Sequence, residues 1–148
     1  HEGPRRGILG ANASFAYQIA KIERDMQEPI IRVGNLEATR NFTDVLDLVR
    51  AYYLAMEKGV PSELYLIGSQ NIYTMKQCLE VLISLSSRSS EITFEIDQKR
   101  VRPNELKTFI GDFKKFNDLT GWKPEISFED TMASVLNYWR EFLDKGYY

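Results

Sequence analysis

One stretch of the sequence places a cationic side chain where it could bind an anion. The apolar run 30–33, rich in β-branched residues, predicts a strand, and Gly34-Asn35 ends it with a residue pair that tolerates positive φ. Arg40 follows at the start of a short second strand. A guanidinium in such a strand–turn–strand corner can hold a phosphate through two parallel hydrogen bonds. The alternative is an arginine paired with a surface carboxylate.

Complete catalytic arrangements are not found in the sequence. A dinucleotide fold needs a Gly-rich turn between its first strand and first helix, and neither G-x-G-x-x-G nor G-x-x-G-x-x-G occurs. His1 is the only histidine, so a serine or cysteine nucleophile would lack an internal histidine base. Glu95 and Asp97 share one strand face and could act as an acid–base pair, although a solvated strand edge explains them better.

The elements that must position these residues alternate between helix and strand, which predicts the α/β class. Strands are predicted over 30–33, at Arg40, over 64–67 and over 92–97, and the wholly apolar 64–67 run indicates burial on both faces. Apolar residues at helical spacing predict the core faces of four helices: Phe15, Ile19, Ile22 and Met26; Val45, Val49, Tyr52, Tyr53 and Met56; Met75, Leu79, Leu82 and Ile83; Phe128, Met132, Val135, Leu136 and Trp139.

The helix boundaries have their own signals. The first helix is predicted from Ser14 to about Gln27. Thr43 or Asp44 caps the second, and Thr74 with Gln77 forms a capping box for the third. A short helix is predicted after Asp112, and the last opens at Ser127. Two tryptophans, Trp122 and Trp139, are better explained as core than as sugar-stacking platforms.

Composition narrows the classes of partner. The 148 residues can form one core without disulfides. With 19 basic and 21 acidic residues the chain has no basic block, so nucleic acid is not expected as a partner. Cys78 is the only cysteine, which excludes an internal disulfide and a Cys/His zinc site, and it fits a cytoplasmic protein. No apolar run approaches the roughly 18 residues of a membrane span.

Several motifs follow one another in a recognisable order along nearly the whole chain. It begins His1-Glu2-Gly3-Pro4-Arg5-Arg6-Gly7, passes through the corner at 33–44, and later carries Arg102-Pro103-Asn104-Glu105, Ile110-Gly111-Asp112 and Thr120-Gly121-Trp122-Lys123-Pro124. Together these resemble the C-terminal half of the extended short-chain dehydrogenase/reductase (NAD-dependent epimerase/dehydratase) family. The resemblance is greatest to its GDP-mannose 4,6-dehydratases and GDP-4-dehydro-6-deoxy-mannose reductases.

The resemblance implies an architecture and an activity. Residues 1–148 would be a single C-terminal substrate-binding portion, with 64–67 as a late strand of the Rossmann-like sheet beside a small α/β lobe. The dinucleotide-binding half would be missing, so the chain alone would be inactive. The intact enzyme would use NADP to move a hydride at C4 of a GDP-hexose, and it would be a dimer or tetramer.

The resemblance also implies cofactor-binding residues. His1 and Arg6 match a family loop in which the His and the second Arg contact NADP, the Arg at its phosphates. A loop stiffened by Gly and Pro that presents guanidiniums suits an anion on physical grounds too. The alternative is a frayed basic terminus. Tyr17 and Lys21 have the spacing of the family's catalytic pair, but they lie beyond this loop and are interpreted as ordinary helix surface residues.

Substrate contacts are implied at two further places. Arg40 matches an arginine that contacts the nucleotide diphosphate, and Val33 and Asn35 line the same turn, where their backbone can bond the nucleotide. Arg102 and Glu105 match residues that hold GDP, the Arg on phosphate and the Glu on ribose or guanine. A capping Glu beside a surface Arg is the alternative for this last pair.

The alternatives that stay open concern substrate and class. Ser14 stands where the dehydratases carry a substrate-contacting lysine, which favours the reductases. A UDP- or dTDP-sugar epimerase or dehydratase is the second hypothesis. A non-catalytic interaction module built from the amphipathic helices is the third, and it predicts an exposed apolar patch.

Overall fold

The computed structural model describes residues 1–101 and 106–146. Within these residues the elements follow in the order α1 (Ala11–Ile22), β1 (Ile30–Val33), β2 (Thr39–Asn41), α2 (Val45–Lys58), β3 (Ile72–Thr74), α3 (Met75–Ser84), β4 (Thr93–Ile96), β5 (Thr108–Phe109), α4 (Lys114–Thr120) and α5 (Phe128–Asp144). A 3-10 helix, Gln98–Arg100, follows β4. The predicted α/β class is confirmed.

The strands form two small sheets. In the first, β1 and β4 run parallel, with Ile30 opposite Thr93 and continuing in register to the ends of both strands. In the second, β2 is central: it runs antiparallel to β3 and parallel to β5. Arg40 therefore lies between Tyr73 on one side and Phe109 on the other.

The main core lies where α1 packs against α3 and α5. The helix faces predicted for α1, α3 and α5 are buried up to Ile22 in α1 and apart from Ile83 of α3, which is partly buried, since their apolar residues recur once per turn and meet at these contacts. Helix α1 ends earlier than predicted, at Ile22, and Met26 is exposed. The reason is the backbone at Asp25, whose φ of 55° cannot continue a right-handed helix.

The predicted helix caps are confirmed. Asp44 precedes α2, and its Oδ1 accepts a hydrogen bond of 2.8 Å from the amide of Leu46. Thr74 and Gln77 form the complete capping box of α3. Ser127 accepts from the amide of Asp130 at the start of α5. Each bond satisfies an amide that the first helical turn would otherwise leave unpaired.

Both tryptophans are buried, which confirms the core interpretation. Trp139 lies in the main core, and Trp122 joins Ala51 and Phe116 in a smaller core between α2 and α4. The indole Nε1 of Trp122 donates to the carbonyl of Asp47 at 3.1 Å. The turn after α4 is thereby fixed to the first part of α2.

Three further predictions are wrong. Segment 64–67 is not a strand, because a strand needs a neighbouring strand and none of the described residues pairs with it. Leu64 and Leu66 in this segment are exposed. The predicted core face of α2 is exposed at Val49, Tyr52, Tyr53 and Met56, while Asp47, Leu48 and Ala51 are buried instead. Strand β4 is exposed at all four positions rather than half-buried.

Among the described helices, none combines the length and the apolar character needed to cross a bilayer.

Candidate functional site

The corner between β1 and β2 is built by close packing at Gly34. Val33 ends β1 fully buried. A Cβ on Gly34 would lie 2.5 Å from the carbonyl oxygen of Arg100, a distance that no side chain can occupy. The turn does not use the positive φ that Gly34 and Asn35 tolerate, since neither residue lies in that region. Glycine is required here for the close approach of two backbones, not for the shape of the turn.

Asn35 stabilises the turn through its side chain. Its Oδ1 accepts a hydrogen bond of 2.9 Å from the amide of Glu37, two residues on, as asparagine does in tight turns. The chain then passes through buried Leu36 and Ala38 into β2. Buried residues before and after the turn, together with the Asn35 hydrogen bond, therefore fix its position.

Arg40 is half-buried in the middle strand of the second sheet. Its Nη1 donates to the carbonyl oxygen of Thr39 at 2.8 Å and to that of Lys107 at 3.4 Å. These bonds hold the guanidinium on the β5 side of β2. A planar donor group held in place by backbone carbonyls is suited to bidentate recognition of an anion.

The first residues of the chain are tied to the same region. The amide of Glu2 donates to the carbonyl of Thr43 at 2.9 Å, and the carbonyl of Glu2 accepts from Val45 at 2.8 Å. The loop that carries His1 and Arg6 therefore pairs with the segment that begins three residues after Arg40. The basic terminus is not frayed at this point.

The Arg6 side chain forms hydrogen bonds within its own loop. Its Nη1 donates to the carbonyl of His1 and to Oε1 of Glu2, the latter at 2.5 Å. Glu2 is buried, and this burial raises the pKa of its carboxyl group while the nearby charge of Arg6 lowers it. His1 itself is exposed.

Arg100, which no sequence pattern predicts as a site residue, packs against Gly34 at the same corner. Its Nη1 donates to the hydroxyl of Ser14 in the first turn of α1 at 3.0 Å, and its Nε lies 3.5 Å from a carboxylate oxygen of Asp97. The only signal was a second basic residue shortly before Arg102. Nothing in the local pattern indicated contact with a residue 86 positions away.

Two of the predicted residues, Arg102 and Glu105, lie outside the described part of the chain. The other predicted substrate-binding residues, Val33, Asn35 and Arg40, belong to the corner against which Arg100 packs. The loop of His1 and Arg6 is hydrogen-bonded to the segment that follows β2. Among the described residues, no cluster of three or more metal-ligating side chains is found.

The weaker catalytic candidates have structural roles. Tyr17 packs edge-on against Trp139, with ring centroids 5.1 Å apart, and Lys21 lies over the Tyr17 ring. Glu95 pairs with Arg32 at 3.3 Å on the exposed face of the β1–β4 sheet. Asp97 caps the 3-10 helix by accepting from the amide of Lys99.

These elements are those of a Rossmann-like, extended short-chain dehydrogenase fold. A family model for GDP-mannose 4,6 dehydratase matches residues 1–135, and the chain belongs to this family.

Relatives and solved structures of the same kind match most of the chain. GDP-6-deoxy-D-mannose reductase of Pseudomonas aeruginosa is 30% identical over 139 residues, which cover 94% of this chain and 45% of the reductase. GDP-mannose 4,6 dehydratase 1 of Arabidopsis thaliana is 29% identical over 137 residues, covering 93% and 37%. The chain thus spans less than half of each relative.

Two of the solved structures that match the chain illustrate its fold similarity. RMD from Pseudomonas aeruginosa, solved with NADPH, superposes with a TM-score of 0.84 and 28% identity over 95% of this chain and 46% of its own. UDP-glucose 4-epimerase from Thermotoga maritima, solved with UDP-glucose, has a TM-score of 0.77 and 28% identity over 95% and 43%.

Proposed function

We propose that residues 1–148 form the substrate-binding portion of an NADP-dependent GDP-mannose 4,6-dehydratase or GDP-4-dehydro-6-deoxy-mannose reductase, and that they bind the GDP-sugar. The observation that carries this proposal is the corner of Val33, Gly34, Asn35 and Arg40, closed by Arg100. It joins backbone hydrogen-bonding groups to guanidinium donors, and a nucleoside diphosphate needs both.

Each residue has an assigned role in this proposal. Arg40 binds the diphosphate, and Val33 and Asn35 offer backbone bonds to the nucleoside. Arg102 adds a second cation for phosphate, and Glu105 accepts hydrogen bonds from guanine or ribose. This portion supplies binding and orientation. The Gly-rich turn and the groups that move protons belong to the rest of the enzyme, so the chain alone is inactive.

The cofactor contributes the hydride chemistry at C4 of the hexose, and this chain contributes one side of its pocket. His1 and Arg6 are the residues assigned to it. The Arg6 side chain is 43% exposed, and its Nη2 makes no hydrogen bond to any described residue, so donors remain for a phosphate. The relative solved with NADPH supports this cofactor. We place the enzyme in the cytoplasm as a homo-oligomer.

Calorimetric titration of the chain with GDP, UDP and dTDP tests the proposal directly. We expect GDP to bind at least tenfold more tightly than the other two, because Glu105 can accept hydrogen bonds from the guanine base. Equal affinities would remove the guanine assignment. Absence of binding by all three would overturn the nucleotide-sugar proposal as a whole.

A UDP-sugar substrate is the second candidate, and a specific observation favours it. The Thermotoga maritima epimerase, solved with UDP-glucose, has the same fold at 28% identity. If UDP binds more tightly than GDP in the titration, this candidate replaces the first.

A further inference from the structure

Arg100 connects three elements at the corner. The three atoms nearest to a Cβ added at Gly34 all belong to Arg100: its carbonyl oxygen, its carbonyl carbon and, at 3.5 Å, its own Cβ. From there its side chain reaches the hydroxyl of Ser14 in the first turn of α1. Arg100 therefore joins the 3-10 helix to the corner by its backbone and to α1 by its guanidinium group.

Ser14 holds this guanidinium through connected hydrogen bonds. Ser14 is buried, and its hydroxyl accepts from Nη1 of Arg100 at 3.0 Å and from Nε2 of Gln18 at 3.4 Å. Gln18 is itself bonded to the backbone of Arg32 in β1. Because Ser14 and Gln18 belong to the packed part of the fold, the hydroxyl is a fixed acceptor. The guanidinium that it binds is thereby held in one place.

Three structural arginines of the same chain provide a comparison. Arg24, Arg88 and Arg140 each bond a carboxylate at 2.6–2.7 Å and at least one backbone carbonyl, and their side chains are 25–29% exposed. The Arg100 side chain is 43% exposed, and its Nε lies 3.5 Å from the carboxylate of Asp97. A charge-assisted hydrogen bond is usually about 2.7–2.9 Å long. The charge of Arg100 is therefore only weakly balanced by the described residues.

The donors of Arg100 are also incompletely used. Nη1 bonds the neutral hydroxyl of Ser14, and Nε faces Asp97, whose other oxygen already accepts from the amide of Lys99. Nη2 makes no hydrogen bond to any described residue. A guanidinium that is anchored by a neutral group and has an open donor can bind an anion in a fixed direction.

We infer that Arg100 is a ligand of the nucleotide diphosphate and that Ser14 is its positioning residue. Arg100 packs on the turn between β1 and β2, the strand that carries Arg40. A diphosphate carries more negative charge than one guanidinium can balance, so a second one at this turn has a clear use. The inference rests on the proposed function, because the anion is the diphosphate of the proposed substrate.

Calorimetric titration of the chain with GDP tests the role of Arg100. We expect Arg100→Gln to weaken GDP binding at least tenfold, because a charge-assisted hydrogen bond to phosphate is lost. Lys99→Gln is the matched control, since it removes the same charge from the neighbouring exposed residue of the 3-10 helix. We expect Lys99→Gln to change the affinity less than about twofold, because solvent and salt screen an exposed charge that makes no contact. Equal affinities of the two variants would overturn the inference.

A double-mutant cycle tests the role of Ser14. Ser14→Ala leaves the guanidinium of Arg100 without its anchor, so we expect weaker GDP binding. Because Ser14 acts through Arg100, adding Ser14→Ala to Arg100→Gln should cause no further loss of affinity. Losses that add in the double variant would show that Ser14 affects binding by another route, and they would overturn its role as a positioning residue.

Circular dichroism and Tm establish that each variant is folded before it is titrated. If Arg100→Gln does not fold, Arg100→Lys takes its place, since it keeps the charge but loses the forked donor group. We then expect several-fold weaker binding of GDP, and wild-type affinity of Arg100→Lys would contradict the inference. Absence of GDP binding by the wild-type chain would overturn the proposed function as well. Normal wild-type binding with unaffected Arg100 variants would remove only this inference.

Discussion

The side-chain amide of Gln18 makes two hydrogen bonds to the backbone of Arg32: its Oε1 accepts from the amide at 2.8 Å and its Nε2 donates to the carbonyl at 3.1 Å. This is how a neighbouring strand would bond the same residue. Gln27 continues the pattern by donating to the carbonyl of Ile30 at 2.9 Å. The side-chain amides of Gln18 in α1 and of Gln27 after it thus close the free edge of β1, where a third strand would otherwise lie.

Replacing Gln18 by Leu should lower the free energy of unfolding by about 1–3 kcal/mol, because the backbone groups of Arg32 lose their partners at a partly buried contact. Urea unfolding followed by circular dichroism measures the change. Gln70→Leu is the control, since Gln70 is exposed and forms no hydrogen bond with the described residues. Equal stability of both variants would show that the amide clamp contributes nothing.

Gly34→Ala should destabilise the corner and weaken GDP binding. The added Cβ would meet the carbonyl of Arg100 at 2.5 Å, so β1 and the 3-10 helix must separate. We expect a loss of stability of about 1–3 kcal/mol, the usual cost of overpacking. Thermal unfolding and calorimetry give the two readouts. Gly7→Ala is the matched control, because a Cβ there meets no atom within 4 Å.

Arg40→Ala should weaken GDP binding by roughly 1.5–3 kcal/mol, the usual contribution of a charge-assisted hydrogen bond. We expect little change in Tm. Arg32→Ala serves as the control, because Arg32 is an exposed strand arginine that pairs with Glu95. A marked fall in Tm with normal binding would instead favour a structural ion pair at Arg40.

The stability of the chain should depend on Asp47 as the pH falls. Burial alone would raise the pKa of this carboxyl group, but hydrogen bonds from Arg50 and from the amides of Ile126 and Glu125 outweigh burial and lower the pKa below its usual value. The unfolded chain then binds more protons in this range, so the contribution of Asp47 is present above about pH 4 and lost below it. Asp47→Asn should be less stable near neutral pH and should lose less on acidification.

Urea unfolding at about pH 7 and about pH 3 measures this dependence. Asp130→Asn is a control, since Asp130 is exposed on α5. A wild-type stability that changes with pH as little as that of Asp47→Asn would contradict the assignment.

Cys78 should be inert in the folded chain. Burial raises the pKa of its thiol to about 12, and the charge of Glu2 adds to this effect, so almost no thiolate exists at neutral pH. A thiol reagent should therefore label Cys78 only after unfolding. Electrospray mass spectrometry of the chain treated with the reagent, with and without denaturant, measures the extent of labelling. Rapid modification of the native chain would contradict the burial of α3 at this residue.

The features that could be predicted from the sequence are those whose causes are local. The capping box of Thr74 and Gln77 and the α5 stripe depend on residues within two turns of one another. Which face of α2 is buried does not depend on such local residues. Periodicity gives the same signal for an apolar face that packs and for one that lacks a partner.

The candidate site likewise has some features with local causes and others that depend on distant residues. The corner at Arg40 follows from a local order of strand, turn and strand. The contact of Arg100 with Ser14 joins residues 86 positions apart, and the reason for glycine at position 34 lies in the carbonyl of a residue far along the chain. Only tertiary structure shows either of them.

The parallel pairing of β1 with β4 has a consequence for folding kinetics. Ile30 meets Thr93 only after the chain between them, which contains α2, β3 and α3, has closed into a loop. Loop closure of this length costs conformational entropy before any pairing energy is gained, and domains of high contact order fold slowly. We therefore expect the helices to form early and this ladder to complete the transition, so that destabilising β4 mainly accelerates unfolding.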